Sequence, residues 1–326
     1  MSFDLILPFL RPIAHLVQDP DVSEIMVNAG GRVFLERDGM LIDEAGVHLD
    51  EKNLQVAVRN IARTLGDDVS EEQPILDARL PDGSRVAAVI PPCSLGGTTL
   101  TIRKFQTRFF TADELVRTGM LTQLLLDQLR SAIDRRYNIL ISGGTSTGKT
   151  TLLNALAAFL PEGDRIVIIE DTAELHVDQS NVVRFEARRA QPYLPAVTIR
   201  DLLKATLRHR PDRVIVGEVR GGEAYDLLQA LNTGHAGSLS TIHANSALQA
   251  LARLASCVLQ AGVDLPYAAV RLQIADAISS VVHLTRAQGR RAVAEAICIR
   301  NYVAATDAYE VHPLCEASIE SRGDVA

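Results

Sequence analysis

The chain has no tryptophan, and aromatic residues make up only 4% of its 326 positions. It therefore lacks a basic stripe interleaved with stacking platforms, the usual surface for tracking single-stranded nucleic acid. Positive charge is not in excess either. Lys and Arg number 33 against 40 Asp and Glu, a formal net charge of −7, and nothing global favours a phosphate backbone as ligand. Cysteine is scarce. Cys93, Cys257, Cys298 and Cys315 are widely separated and form no C-x-x-C pair. Neither a zinc site nor a redox motif is suggested, and free thiols in a reducing compartment are the simplest reading. No apolar run reaches ~18 residues, so no membrane-spanning helix is expected. The opening MSFDLILPFLRP is apolar, but it lacks the basic flank of a secretory leader and is interrupted by Pro8 and Pro12. A cytoplasmic protein is expected, with any membrane contact peripheral or made through a partner.

What is present is a globular composition, 47% hydrophobic and 22% charged, in a chain long enough for two domains. It is organised around ISGGTSTGKTTLLNAL, Ile141 to Leu156, which contains G-x-x-x-x-G-K-T from Gly143 to Thr150. The apolar run Tyr137 to Ile141 before it reads as a buried strand. Leu152, Leu153, Leu156 and Leu160 after it recur at helical spacing. Strand, glycine-rich turn and helix is the context a phosphate-binding loop requires. Glycine lets backbone N–H groups approach phosphate oxygens closely, and the helix N-terminus favours negative charge. Gly143, Gly144, Thr145, Ser146, Thr147, Gly148, Lys149, Thr150 and Thr151 are the expected nucleotide-binding residues. Lys149 is expected at the β- and γ-phosphates and the Thr150 hydroxyl on Mg²⁺.

Residues 1–105 read as a small α+β domain. Strands are expected at 24–28 and 32–37, a helix from Glu51 to Leu65, and a hairpin of Ile75–Leu80 and Ser84–Ile90 around Pro81-Asp82-Gly83. A last strand, Thr99 to Phe105, carries Arg103 and Lys104, with Arg108 a little later. These cations are either a solvated basic end or groups that project toward a phosphate. Residues 106–118 read as linker and domain entry, with Thr111 to Glu114 as a capping box. The P-loop domain occupies 119–326.

Within that domain three further strands end in chemistry-bearing residues. Arg165 to Ile169 runs into Glu170-Asp171, Arg213 to Val216 into Gly217-Glu218, and Ser238 to Ile242 into His243. In open α/β sheets functional groups gather at the carboxyl ends of strands. In P-loop enzymes such an acid holds Mg²⁺ or positions the attacking water. Here Gly217 stands where an Asp often precedes the Glu, so Mg²⁺ is expected to rest mainly on Thr150, phosphate oxygens and water. His235 and His243 frame one strand and are less easily dismissed than a lone histidine. Ser246-x-x-Gln249 reads as a capping box that opens a helix to Leu259. A helix from Pro266 and a terminal hairpin complete the domain.

GGTSTGKTTLLNAL, IIEDTAEL and RHRPDRVIVGEVRGGEAYDLLQALNTGHAGSLSTIHANS resemble, in order and spacing, four boxes of the type II/type IV secretion ATPase superfamily. These are its Walker A, Asp, atypical Walker B and His boxes. PDGSRVAAVIPP and TLTIRKF extend the resemblance into the N-domain, and the conjugal-transfer ATPases of the TrbB type are the most similar branch. The resemblance implies an α/β fold, a RecA-like C-terminal P-loop domain with a smaller α+β N-terminal domain. It implies a homo-hexameric ring that hydrolyses ATP with Mg²⁺ bound between the domains. Such a ring is a cytoplasmic motor working with inner-membrane secretion or pilus machinery; a Tad-like or type IV pilus motor is the neighbouring alternative. Carried over by residue, Lys149, Glu218, Glu170 and His243 are the catalytic set. Glu218 orients water, Glu170 supports metal or water, and His243 senses the γ-phosphate. Arg85, Arg103 and Lys104 lie in stretches that close over nucleotide in relatives. Arg208, Arg210 and Arg220 flank the Walker B strand as arginine-finger candidates within or between subunits. The four-cysteine zinc element of type II relatives is absent, which argues against that branch.

Overall fold

The computed structural model describes residues 3–37, 39–105, 109–188, 190, 194–287 and 290–314. The chain divides into two compact units, Met1–Thr107 and Arg108–Ala326. Arg108, Arg189, Cys315 and the last residues lie outside the described positions.

The first unit begins with short 3-10 turns and α1 (Ala14–Gln18). It continues through β1 (Val22–Val27), β2 (Arg32–Arg37), β3 (Met40–His48), α2 (Glu51–Thr64), β4 (Ile75–Arg79), β5 (Arg85–Val89) and β6 (Thr99–Arg103). The strands form one antiparallel sheet in the order β3-β2-β1-β6-β5-β4. Alternate residues such as Ile25, Val27, Val33, Leu35, Leu100 and Ile102 enter one core with Leu54, Val58 and Ile61 of α2, as an antiparallel sheet with one covered face requires. Asp50 caps α2, its carboxylate accepting from Asn53 N at 3.2 Å.

The second unit starts with α3 (Ala112–Arg117), whose Thr111–Glu114 capping box is formed. Then come α4 (Gln123–Asp134), β7 (Ile139–Gly143), α5 (Lys149–Ala157), β8 (Ile166–Glu170), β9 (Val182–Glu186), α6 (Ile199–Thr206), β10 (Arg213–Val219), α7 (Glu223–Asn232), β11 (Leu239–His243), α8 (Ala247–Leu259), α9 (Tyr267–Ala277) and β12 (Ser280–Ala287). β13 (Arg290–Val303) and β14 (Ala308–Pro313) close the chain. The sheet order is β14-β13-β12-β7-β11-β10-β8-β9. The strands from β12 to β9 are parallel, and β13 and β14 add an antiparallel edge.

Every residue of β7 and β8 is buried, because helices cover both faces. Ile139 and Ile141 of β7 face a core shared with α3, α4 and α5, whereas Leu140 faces the core of α6 to α9. Strands buried on both faces read as continuous apolar runs, which is why ILIS and IVII are recognisable in the sequence. The amino end of the sheet is held by Arg213. This side chain is 1% exposed. Its Nε donates to Asp164 Oδ2 at 2.5 Å, and Nη1 donates to the carbonyls of Ile133 and Gly237.

The expected capping box at Ser246 is only half formed. Ser246 Oγ accepts from Gln249 N at 3.1 Å, and the next amide, that of Ala247, donates to Glu295 of β13 at 2.9 Å. β3 and β14 are edge strands that bury no residue fully; Ile42 and Val47 of β3 and Tyr309 and Val311 of β14 are only partly covered against the cores.

Candidate functional site

The phosphate loop runs from Gly143, the last residue of β7, to Lys149, the first of α5. Two residues in it take left-handed backbone, Ser146 at φ +57 and Gly148 at φ +95. Gly148 precedes α5 without a side-chain cap, so the first-turn amides of the helix are left to the loop's interior. A Cβ on Gly148 would lie 2.9 Å from Met120 Cε, the movable end of a flexible side chain, so it is the positive φ that calls for glycine there. Thr147 Oγ1 closes the turn by donating to Gly144 O at 3.0 Å. Lys149 is buried, and its ammonium donates to Gly143 O at 3.1 Å and Gly144 O at 2.8 Å. Thr145 and Ser146 are exposed at the loop's tip; Thr150 and Thr151 are half-buried in the first turn of α5.

β11 lies between β7 and β10, which brings three expected catalytic residues together. Lys149 Nζ lies 3.3 Å from His243 Nε2, and that same ring nitrogen lies 3.0 Å from Glu218 Oε1. Arg220 donates from Nη2 to Glu218 Oε2 at 2.8 Å and from Nη1 to Asp171 Oδ2 at 3.0 Å. Burial pushes the Glu218 carboxyl up, but the Arg220 hydrogen bond and the surrounding cations outweigh it and hold it below the ordinary range. His243 is pushed down, first by burial and then by the Lys149 charge, so it is a neutral ring at neutral pH.

Glu170 is buried at the end of β8. Its Oε1 accepts from the amides of Glu174 and Leu175 at 2.8 and 2.9 Å, and Oε2 lies 3.5 Å from Arg184. Burial is the larger influence and raises its pKa. The glycine before Glu218 now has a reason. A Cβ on Gly217 would come within 3.0 Å of Glu170 Cγ. Glu170 of β8 fills the space beside β10 that a longer residue at 217 would need.

Arg208, Arg210 and His235 are not brought here. Arg208 and Arg210 precede β10, at the amino end of the sheet. β10 is seven residues long, and at ~3.3 Å per residue its ends are roughly 20 Å apart. A role for either arginine at the phosphates of its own subunit is excluded. His235 belongs to the end of α7, its Nδ1 lying 3.1 Å from Ala230 O. Arg85, Arg103 and Lys104 belong to the first unit. Arg85 and Arg103 are cross-strand neighbours, and Arg85 lies 3.5 Å from Asp77. Lys104 Nζ donates to the carbonyl of Asp19, so its ammonium is bound inside its own unit.

Sequence patterns did not single out Arg184, which steadies Glu170 from β9, nor a cavity beside the phosphate loop. The cavity, about 320 Å³, is lined by Val116, Met120, Leu121, Thr122, Leu125 and Val293. Met120, which touches Gly148, joins it to the loop. Its walls come from the α3–α4 connection and from β13, far apart in the chain, so no local motif announces it.

A parallel sheet with a phosphate loop at one strand end and acids and a histidine at its neighbours' ends defines a two-domain, RecA-like P-loop ATPase fold. The comparisons place it further. A family model described as "Type II/IV secretion system protein" matches residues 10–317, and the chain belongs to that family. Conjugal transfer protein TrbB of Rhizobium radiobacter is 39% identical over 290 residues, covering 88% of this chain and 86% of that protein. Type IV secretion system protein PtlH of Bordetella pertussis is 37% identical over 298 residues, covering 83% of this chain and 88% of its own. Among solved structures, the Legionella pneumophila ATPase DotB aligns over 98% of this chain and 84% of its own, with a TM-score of 0.63 and 20% identity. The pilus retraction motor PilT with bound ADP aligns over 98% and 86%, with a TM-score of 0.59 and 19% identity. These two likenesses bear on the fold.

Proposed function

We propose that this chain is an ATP-hydrolysing subunit that powers conjugative transfer or type IV secretion. The observation that carries the reading is the succession Lys149, His243, Glu218, the first at the start of the helix after β7 and the others at the ends of the adjacent parallel strands β11 and β10. The relatives named for conjugal transfer and type IV secretion support the process.

Phosphoryl transfer asks a protein mainly for positioning and charge stabilisation. The amides of 144–149 and Lys149 cradle the β- and γ-phosphates. Lys149 leaves the carbonyls of Gly143 and Gly144 to do so. Glu218, kept ionised by Arg220, accepts a hydrogen bond from water and aligns its oxygen on the γ-phosphorus. The bond to the bridging oxygen breaks, ADP departs, and the water's proton leaves with the new phosphate. His243 stands between Lys149 and Glu218, where it reads whether the γ-phosphate is present.

The oxygen donors at hand fit Mg²⁺. The Thr150 hydroxyl would hold it directly and Glu170 through water, since the Glu170 oxygens are already engaged. Mg²⁺, when bound, neutralises phosphate charge. The cavity against Met120 takes the base by apolar contact, its volume falling within the range of ligand pockets. The working form is a homo-hexameric ring at the cytoplasmic face of the inner membrane, joined to the membrane-embedded machinery.

The test is ATP turnover per subunit against protein concentration, with Lys149→Ala as the blank. Turnover that rises as subunits associate is expected for sites completed across a ring. No turnover above the blank, in samples sized as assembled rings, would overturn the reading.

A further inference from the structure

His283 on β12 is a buried titratable side chain, 4% exposed, that the proposed reaction does not use. Strand register sets it beside Ser142 of β7, which is fully buried. Ser142 Oγ and His283 Nδ1 are hydrogen-bonded at 2.9 Å. One residue further along both strands, Leu284 pairs with Gly143. A Cβ on Gly143 would come within 2.6 Å of the Leu284 carbonyl oxygen and of Thr147 Oγ1. β12 is therefore the wall against which the first glycine of the phosphate loop is seated. That glycine's own carbonyl accepts from Lys149 Nζ.

The other side of β12 is irregular at the same point. Its pairing with β13 shifts between His283 and Leu284, and His283 faces Glu295 there. Bulges beside active sites commonly re-aim a side chain. Glu295 in turn accepts from the amide of Ala247, four residues after His243. A polar row, Ser142, His283 and Glu295, thus runs from the root of the phosphate loop to the root of the helix that follows His243. Burial pushes the His283 pKa down against the opposing charge of Glu295, which keeps the ring neutral at neutral pH.

We infer that His283 is a positioning residue for nucleotide binding: its bond to Ser142 holds Gly143, and with it the seat of Lys149, in place for phosphate. The inference rests on the ATP reading above and adds to it a residue four strands' worth of sequence away from the phosphate motif. The row touches no reacting atom, so its loss should weaken ATP binding more than the chemical step.

The experiment measures Mg-ATP turnover, displacement of a fluorescent ATP analogue, and the unfolding midpoint of each variant. The unaltered chain is measured first; failure to bind ATP there would overturn the nucleotide reading itself and this inference with it. His283→Leu is expected to raise KM for ATP about tenfold, with kcat changed by less than about twofold. Ser142→Ala, which removes a single oxygen and preserves the fold if His283→Leu does not, is expected to raise KM similarly. The double variant should be no worse than the worse single one, because both remove the same bond. His283→Asn, whose amide occupies the place of Nδ1, should bring KM back to within about threefold. An unchanged KM in Ser142→Ala, additive losses in the double variant, or no rescue by Asn would each overturn the assignment and leave His283 a core residue only.

Discussion

Arg220 holds Glu218 from two residues away, Nη2 to Oε2 at 2.8 Å, while His243 occupies the other carboxylate oxygen at 3.0 Å. Arg220 keeps the carboxylate ionised, so its charge is in place before nucleotide arrives. Glu218→Gln retains shape but loses the charge that aligns water. We expect kcat to fall by ~10²–10⁴-fold with KM for ATP within a few-fold, as read by steady-state turnover of the assembled protein.

Gly217 and Glu170 share one small space. Gly217→Ala places a methyl group 3.0 Å from Glu170 Cγ in a packed sheet, and overpacking of this kind costs ~1–3 kcal/mol. Urea unfolding should register that loss. Turnover should fall as well, because Glu170 must shift off the Glu174 and Leu175 amides to make room. Full turnover in Gly217→Ala would mean that the position of Glu170 is immaterial to the reaction.

Arg213 is a stability residue with no part in the chemistry. Removing Arg213 leaves Asp164 with the exposed Arg136 as its remaining partner, and breaking a buried ion pair costs up to ~3–5 kcal/mol. Arg213→Met also strands the carbonyl of Gly237, while that of Ile133 keeps the Arg136 amide. A drop of that size in urea unfolding is expected, while ATP affinity of the folded fraction stays the same. Asp164→Asn is the complementary variant: it leaves the fully buried Arg213 guanidinium as the uncompensated charge, and a loss at least as large is expected.

The histidines make stability depend on pH. His243 and His283 both have folded pKa values pushed below the ordinary ~6.5. Between that value and the folded one, the unfolded chain binds protons that the folded chain does not. Stability is therefore full above about pH 6.5 and declines as pH falls below it. His243 is faced by Lys149, Glu218, Arg220 and Arg253, and cations predominate among them. Glu170 acts in the opposite sense, since its raised pKa favours the folded state as it takes up a proton above ~4.5. Urea midpoints from pH 7.5 to 5.5 should decrease, and His243→Gln should make that slope shallower. An identical slope in the variant would remove His243 from the account.

The segments legible in the sequence were those whose own chemistry dictates them. The runs of β7 and β8 are apolar throughout because both faces are covered. The Thr111–Glu114 box and the Asp82-Gly83 turn are short-range bonds that form wherever the chain places them. Thr198 and Asp201 form another capping box of the same kind at the start of α6. β3 and β14 were not legible, since edge strands whose inner side is only half covered need no run of strongly apolar residues.

What the sequence determined by itself is the phosphate loop, its strand and helix, and the strand-end positions of Glu170, Glu218 and His243. Backbone N–H groups, glycines and helix dipoles act over a few residues, so their pattern survives as text. Strand order belongs to the tertiary structure alone. It places β11 between β7 and β10, and thereby joins Lys149 to His243 and His243 to Glu218. It sets Glu170 against Gly217, turns Lys104 onto Asp19, and leaves Arg208 and Arg210 at the far end of the sheet. Each of these depends on which chain segments lie about 4.8 Å apart across a ladder, a relation between distant residues that no local pattern of side chains encodes.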